Sequence, residues 1–192
     1  FFDLEIIFVN DGSTDNTKEI LENYLNKLRI KKKIINYKEN KGKGYAIKLG
    51  ILSSKGQWIL TSDADLSVSL KHIVKWFKNE RLLKKNYAYF ASRNHKYSQL
   101  KAHLHRKIIG FFYQLIFKIL FINSISYLKD TQCGFKLYNK SYAKKIFSKV
   151  KENGFIHDIE IAILLHQKNI NMEQMPVKWI YGKSTKVNLF TD

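Results

Sequence analysis

Strand-like and helix-like segments alternate through the first half of this chain, and that rhythm limits the fold more than any other feature. Glu5-Ile6-Ile7-Phe8-Val9-Asn10 is apolar and β-branched and reads as a strand. The polar turn Asp11-Gly12-Ser13-Thr14-Asp15 follows and supplies caps for a helix from about Asn16 to Leu28. That helix carries Ile20, Leu21, Tyr24, Leu25 and Leu28 on one face. A strand near Lys33 to Tyr37, a loop at Asn40 to Gly44 and a helix to about Ser54 come next. A buried strand at Gln57 to Ser62, a helix near Leu70 to Lys85 and a strand at Tyr87 to Ser92 complete the series. The alternation predicts an α/β fold, a mainly parallel sheet flanked by helices on both faces. Ligands of such sheets sit outside the carboxyl ends of the strands, where the loops after Asn10, Tyr37 and Ser62 lie.

The second half reads differently. Leu100 to Ile122 is predicted as one long helix, apolar on nearly every side from Ile108 onward. Gln114 and Lys118 interrupt it, and it is too short for a membrane span. Lys101, Arg106 and Lys107 precede the apolar stretch, which suits an amphipathic helix at a membrane surface, its cations at the headgroups. Burial in a core or in a dimer interface is the competing reading. A strand at Gly134 to Tyr138, helices at Lys140 to Val150 and Ile156 to Gln167, and a strand at Asn171 to Lys178 follow. No repeat or linker divides residues 1–192, so one domain is expected.

Charge is the compositional outlier, 34 Lys and Arg against 16 Asp and Glu, a net +18. Such a field draws anionic partners without choosing among them, and a compositional bias of the genome would produce it too. The usual nucleic-acid recognition motifs are missing, and the apolar helix does not suit a groove, so no nucleic-acid partner is expected. Cys133 is the lone cysteine, which excludes an intrachain disulfide and a cysteine-based zinc site and fits a reducing compartment. Phe1-Phe2-Asp3-Leu4-Glu5 does not read as a secretory leader. The chain opens almost directly into a strand, as a piece truncated at its N-terminus would.

Asp63-Ala64-Asp65 follows the buried strand at Gln57 to Ser62. Two carboxylates two residues apart at a strand end can share Mg²⁺ or Mn²⁺ with a phosphate-bearing ligand, because such ions take few protein oxygens and fill the rest from water and phosphate. Asp65 and Ser67 are also well suited to cap the following helix.

The company that Asp63-Ala64-Asp65 keeps gives it weight. Val9-Asn10-Asp11-Gly12-Ser13-Thr14-Asp15, Asn40-Lys41-Gly42-Lys43-Gly44-Tyr45-Ala46, Ser62-Asp63-Ala64-Asp65-Leu66-Ser67 and Ala91-Ser92-Arg93 occur in that order. Asp130-Thr131-Gln132-Cys133-Gly134-Phe135-Lys136-Leu137, Gly154-Phe155 with Asp158-Ile159-Glu160, and Met175-Pro176-Val177-Lys178-Trp179 follow. In these segments the chain resembles the family-2 glycosyltransferases of the GT-A (Rossmann-like) fold, above all the dolichyl-phosphate β-glucosyltransferase and polyprenyl-phosphate branch. The family's first strand, which forms part of the nucleotide pocket, is not among the matched segments.

The resemblance implies an inverting transferase that moves a hexose, glucose from UDP-glucose, onto dolichyl or polyprenyl phosphate at the cytoplasmic face of a membrane. GDP-mannose as donor, or another acceptor, is the enzymatic alternative. An inactive fragment or a basic nucleic-acid-binding domain is the non-enzymatic one, and a homo-oligomer is compatible with any of these. Mg²⁺ or Mn²⁺ would be held by Asp65 and Asp63, with Ser67 nearby. Asp63 would also contact the donor, along with Asp11 at the nucleobase, Lys43 and Arg93. Arg106 and Lys107 would meet the lipid phosphate, where an Arg offers bidentate geometry. Asp130 would organise the acceptor, as a base or through the metal-diphosphate assembly, with Asp158 as rival and Glu160 behind it.

Overall fold

The computed structural model describes residues 3–78, 84–101, 115–121 and 123–180. In chain order the elements of the first half are β1 (Glu5–Asp11), α1 (Thr17–Asn26), β2 (Lys31–Tyr37), α2 (Lys43–Ser53), β3 (Trp58–Thr61), α3 (Lys71–Lys78), β4 (Tyr87–Ser92) and β5 (Gln99–Lys101). Residues 115–120 are helical. The chain then gives β6 (Lys136–Asn139), α4 (Lys140–Phe147), α5 (His157–Gln167), β7 (Asn171–Pro176) and β8 (Lys178–Ile180). These fold as two compact units, Phe1–Ile59 with Lys140–Ile161 and Leu60–Asn139 with Ala162–Asp192.

In the first unit β1 and β2 pair in parallel, with Val9 opposite Ile35 and Asp11 opposite Tyr37. That register sets the polar turn after β1 beside the end of β2. The Asp15 carboxylate accepts the Thr17 amide at 3.0 Å just ahead of α1, but the cap residue Asn16 makes no side-chain cap bond, so the polar turn leads into the helix without the expected side-chain cap. The expected apolar face of α1 is only partly covered. Leu25 is buried, but Ile20 and Tyr24 are more than half exposed. A sheet that shows two strands here is too narrow to cover the whole stripe. Helix α4 buries Tyr142, Ala143, Ile146 and Phe147.

Several lysines of this unit act as carbonyl donors. Lys48 reaches the Val150 carbonyl at 2.7 Å, Lys144 that of Leu52 at 2.9 Å, and Lys32 that of Leu28 at 2.9 Å. Part of the large positive charge therefore closes helix ends, where cations are favoured.

The second unit holds the four-stranded sheet β3-β6-β4-β7, of which β3 contributes its last residues to this unit. Ala88, Tyr89, Phe90 and Ala91 of β4 are fully buried, as expected of a central strand with both faces covered. β4 runs parallel to β7 but antiparallel to β6, so the sheet is mixed rather than purely parallel. Two boundaries depart from expectation. Gln99–Lys101 is a strand, not the start of the long helix, because it pairs in parallel with β8. The terminal strand breaks in two at Val177, since Pro176 has no amide to continue a ladder and the Val177 amide is taken by the Ser98 hydroxyl at 2.9 Å. On the helical stretch 115–120, Leu115, Ile116, Ile119 and Leu120 are exposed and Phe117 is buried. The remainder of the predicted apolar helix, with its basic start, lies outside the described residues. No helix among those described is long and apolar enough to cross a membrane.

Candidate active site

Residues that follow β3 and β4 meet at one pocket of the second unit. The pocket there is lined by Ser62, Asp63, Ser67, Arg93, Gln132 and Cys133, with Trp179 of β8 as an apolar wall. Arg93 follows directly on β4. Its guanidinium grips Asp130 in a fork, Nε to Oδ2 at 2.8 Å and Nη2 to Oδ1 at 2.9 Å, and its backbone amide adds a third bond to Oδ2 at 2.9 Å. The Asp130 side chain is only 3 % exposed, while that of Arg93 is 31 % exposed. The pair thus has one buried partner and one that reaches solvent.

Burial alone would raise the Asp130 pKa. The Arg93 charge and hydrogen bonds outweigh it, with help from Lys136, and hold the carboxyl below its usual range. Burial likewise opposes the Arg93 charge, but Asp130 wins and raises its pKa, with a smaller contribution from Asp63. The Gln132 amide donates to Asp130 at 3.1 Å, so the turn role open to this residue is also present. Gln174 fixes the segment from β7, donating to the Asp130 carbonyl at 2.8 Å and accepting from the Lys129 amide at 2.7 Å. Cys133 is buried, and that burial pushes its thiol up to about 11, which leaves it an inert packing group near neutral pH.

Asp63 is half-buried and Asp65 exposed. Asp65 accepts the Ser67 amide at 2.9 Å on Oδ1 and the Ser67 hydroxyl at 2.7 Å on Oδ2. It closes a tight turn, and it does not cap α3, whose Lys71 amide bonds the Ser69 hydroxyl at 3.3 Å. Each Asp65 oxygen keeps a lone pair for a cation. Among the described residues no cluster of three or more His, Cys, Asp or Glu side chains could hold a metal as a closed cage. Two hard carboxylates at an open edge fit Mg²⁺ or Mn²⁺, which retain water and ligand phosphates.

The loops after β1 and β2 meet in the first unit. Asp11 accepts the Lys41 amide at 2.7 Å and the Gly42 amide at 3.0 Å, so its carboxylate organises the glycine-bearing loop. Tyr37 and Tyr45 stand edge to face at 5.7 Å, with the Lys41 ammonium 5.2 Å from the Tyr45 ring. Burial, then Asp11, push the Tyr37 hydroxyl far above its usual pKa. Gly42 has φ +95° and opens α2. The helix end expected to receive an anion is partly used within the chain, because the Asn153 carbonyl accepts the Gly44 amide at 2.7 Å. The Lys43 side chain lies 5.9 Å over the Phe155 ring.

Asp158 belongs to this unit too, buried beside His157, with Nε2 to Oδ1 at 3.3 Å. Glu160 accepts the Lys151 amide at 3.0 Å and the Glu152 amide at 2.8 Å, a structural task. Arg106 and Lys107 lie outside the described residues. The structure therefore brings Asp63 and Arg93 to one pocket, with Asp130 buried against Arg93, and Asp11 and Lys43 to one loop pair.

Sequence reasoning missed Gly134 and Lys136. A β-carbon at Gly134 would fall on the Asp63 carboxylate. Lys136 is buried in β6. A lysine inside the apolar run Phe135-Lys136-Leu137-Tyr138 was the available signal.

Comparison with known proteins gives the relatives of this chain. The chain is 33 % identical over 183 residues to a dolichyl-phosphate β-glucosyltransferase of Trichomonas vaginalis, covering 93 % of this chain and 53 % of that protein. It is 33 % identical over 204 residues to the one of Saccharomyces cerevisiae (98 % and 60 %) and 31 % over 193 residues to the one of Homo sapiens (97 % and 59 %). The chain thus spans little more than half the length of these relatives. Among solved structures, glucosyl-3-phosphoglycerate synthase of Mycobacterium tuberculosis in complex with Mn²⁺, UDP and glucosyl-3-phosphoglycerate superposes with a TM-score of 0.63 at 12 % identity, covering 94 % of this chain and 61 % of that one. The same synthase with UDP gives a TM-score of 0.63 at 11 % identity over 94 % and 61 %. The fold is accordingly GT-A-like. The model of the family described as Glycosyl transferase family 2 matches residues 1–147, and the chain belongs to that family.

Proposed function

We propose that this chain is the catalytic part of a metal-dependent inverting glycosyltransferase that moves glucose from UDP-glucose to dolichyl or polyprenyl phosphate. The observation that carries the reading is identity of about one third, over nearly the whole chain, to dolichyl-phosphate β-glucosyltransferases. A pocket lined by the Asp63 carboxylate and by Arg93, which Asp130 holds in a fork, supports it.

In this reading Asp63 and Asp65 hold Mg²⁺ or Mn²⁺, with Ser67 steadying Asp65. Such an ion supplies a Lewis acid for the charge that develops on the leaving diphosphate. Arg93, anchored by Asp130 but still reaching solvent, meets a phosphate, where its fork gives bidentate geometry. Asp11 and Lys43 take the nucleotide in the first unit. The acceptor oxygen attacks C1 of the sugar from the face opposite the diphosphate. The C1–O bond breaks and its electrons stay with UDP.

A phosphate acceptor is ionised near neutral pH, so positioning counts for more than proton removal. That suits Asp130, which is too weak a base while paired with Arg93. Asp158 is the second candidate for any proton the acceptor carries. The exposed face Leu115, Ile116, Ile119 and Leu120 supports contact with the cytoplasmic face of a membrane, where Arg106 and Lys107 would reach the lipid phosphate.

The test is transfer of labelled glucose to dolichyl phosphate in the presence of Mn²⁺, by the native chain and by Asp65→Ala. Loss of several kcal/mol of charge stabilisation corresponds to a fall of about a hundredfold or more in a variant that still folds and melts cooperatively. Full activity of the variant would sink the metal assignment. Transfer from GDP-mannose in place of UDP-glucose would move the reading to a mannosyl donor.

A further inference from the structure

We infer that Lys136 is a positioning residue for Asp63, acting through the peptide between Cys133 and Gly134. The inference rests on the reading of Asp63 as a metal ligand. Lys136 is 1 % exposed, and a buried ammonium is costly unless several groups satisfy it. Its Nζ donates to the Cys133 carbonyl at 2.6 Å. It also lies 5.2 Å over the ring of Phe90, its cross-strand partner. Its charge adds to that of Arg93 in holding Asp130 ionised.

Three successive carbonyls between Asp130 and β6 are each taken by a different part of the unit. Cys133 bonds Lys136 at 2.6 Å. Gly134 bonds the hydroxyl of Thr61, the last residue of β3, at 2.9 Å. Phe135 bonds the Ala91 amide of β4 at 3.0 Å. Gly134 is thereby pinned from both sides, and its bare α-carbon forms the floor on which the Asp63 carboxylate rests. Loss of the ammonium frees the Cys133 carbonyl, lets that floor turn and releases Asp63 from its orientation. Cavity or hydrophobic arguments alone would favour an apolar residue at this position of β6, so the buried charge has a task that packing does not explain.

The experiment is Mn²⁺ titration by electron paramagnetic resonance on the native chain, Lys136→Met and Gly134→Ala, with melting temperatures and with KM and kcat for UDP-glucose measured alongside. Supporting groups behind metal ligands change affinity by about 10–100-fold, and that loss is expected for Lys136→Met. KM for the donor should rise with it. A merely structural lysine would lower melting and leave Mn²⁺ affinity alone, and that result overturns the inference. Gly134→Ala leaves the lysine in place and pushes the carboxylate directly, so it tests the floor itself: unchanged Mn²⁺ affinity there overturns the inference even where Lys136→Met does not fold. A native chain that binds no Mn²⁺ overturns the metal reading itself and the inference with it, an outcome distinct from a native chain that binds and variants that match it.

Discussion

The two polar centres of this chain each rest on an aspartate that follows or faces a strand end, yet they are built in opposite ways. Around Asp11 the partners are backbone amides, those of Lys41 and Gly42, on a half-exposed loop. Around Asp130 the partner is a guanidinium, and the carboxylate is buried. A backbone-built centre fixes the path of a loop and tolerates water as a substitute. A charge-built centre in a buried place fixes side chains and fails when one partner is lost, because the remaining charge has nowhere to go. The first kind suits the loop proposed to meet the nucleotide. The second suits an arginine that has to stand ready for a phosphate.

That contrast predicts unequal losses. Arg93→Met should cost about 3–5 kcal/mol in urea unfolding, since it leaves the Asp130 carboxylate buried with its main partner gone. Asp11→Asn, which still accepts from one amide, should cost about 1–2 kcal/mol. Equal losses would break the contrast. Asp130 titrates below its usual 3.8 in the folded chain, so its contribution is present above that pH and drains away as the pH falls through the folded value.

A smaller effect probes the backbone-built centre. Gly42 combines φ +95° with a close approach to the Asn153 carbonyl. Gly42→Ala should therefore lower stability by about 1–3 kcal/mol and weaken UDP binding in a thermal-shift assay. Normal UDP binding in a destabilised Gly42→Ala chain would separate the loop's packing from its proposed ligand role.

The alternation of periodicities was readable from the sequence because local pattern decides it, and β4 falls at Tyr87–Ser92 as expected. Long-range pairing was not. Gln99–Lys101 has nothing local to mark it as a strand, since its partner β8 lies far along the chain. The break at Val177 was visible only as Pro176, and the hydroxyl that takes the freed amide comes from Ser98. At the site, Asp63, Asp65 and Arg93 stood out by motif. The fork between Arg93 and Asp130 joins residues 37 apart in sequence, which no spacing rule predicts. Lys136 was hidden for the same reason, because its carbonyl acceptor and its aromatic partner are set by how the sheet folds.

The smallest expected effect concerns the wall of the charge-built centre. β8 carries Trp179, and its Lys178 amide donates to His72 Nε2 at 3.1 Å. That nitrogen accepts only while it is unprotonated. Burial, then Lys75, lower the His72 pKa from 6.5, in keeping with this bond. The folded chain therefore binds fewer protons here than the unfolded chain. The bond's contribution is present above pH 6.5 and is lost as the pH falls through the lower folded value. His72→Gln keeps an acceptor without a titration. As the pH falls below 6.5 the native chain should lose up to roughly 1 kcal/mol relative to that variant, read as a widening gap in melting temperature. Parallel curves would mean that the wall is held by apolar packing alone, and would confine the charge-built region to Asp63, Arg93, Asp130 and Lys136.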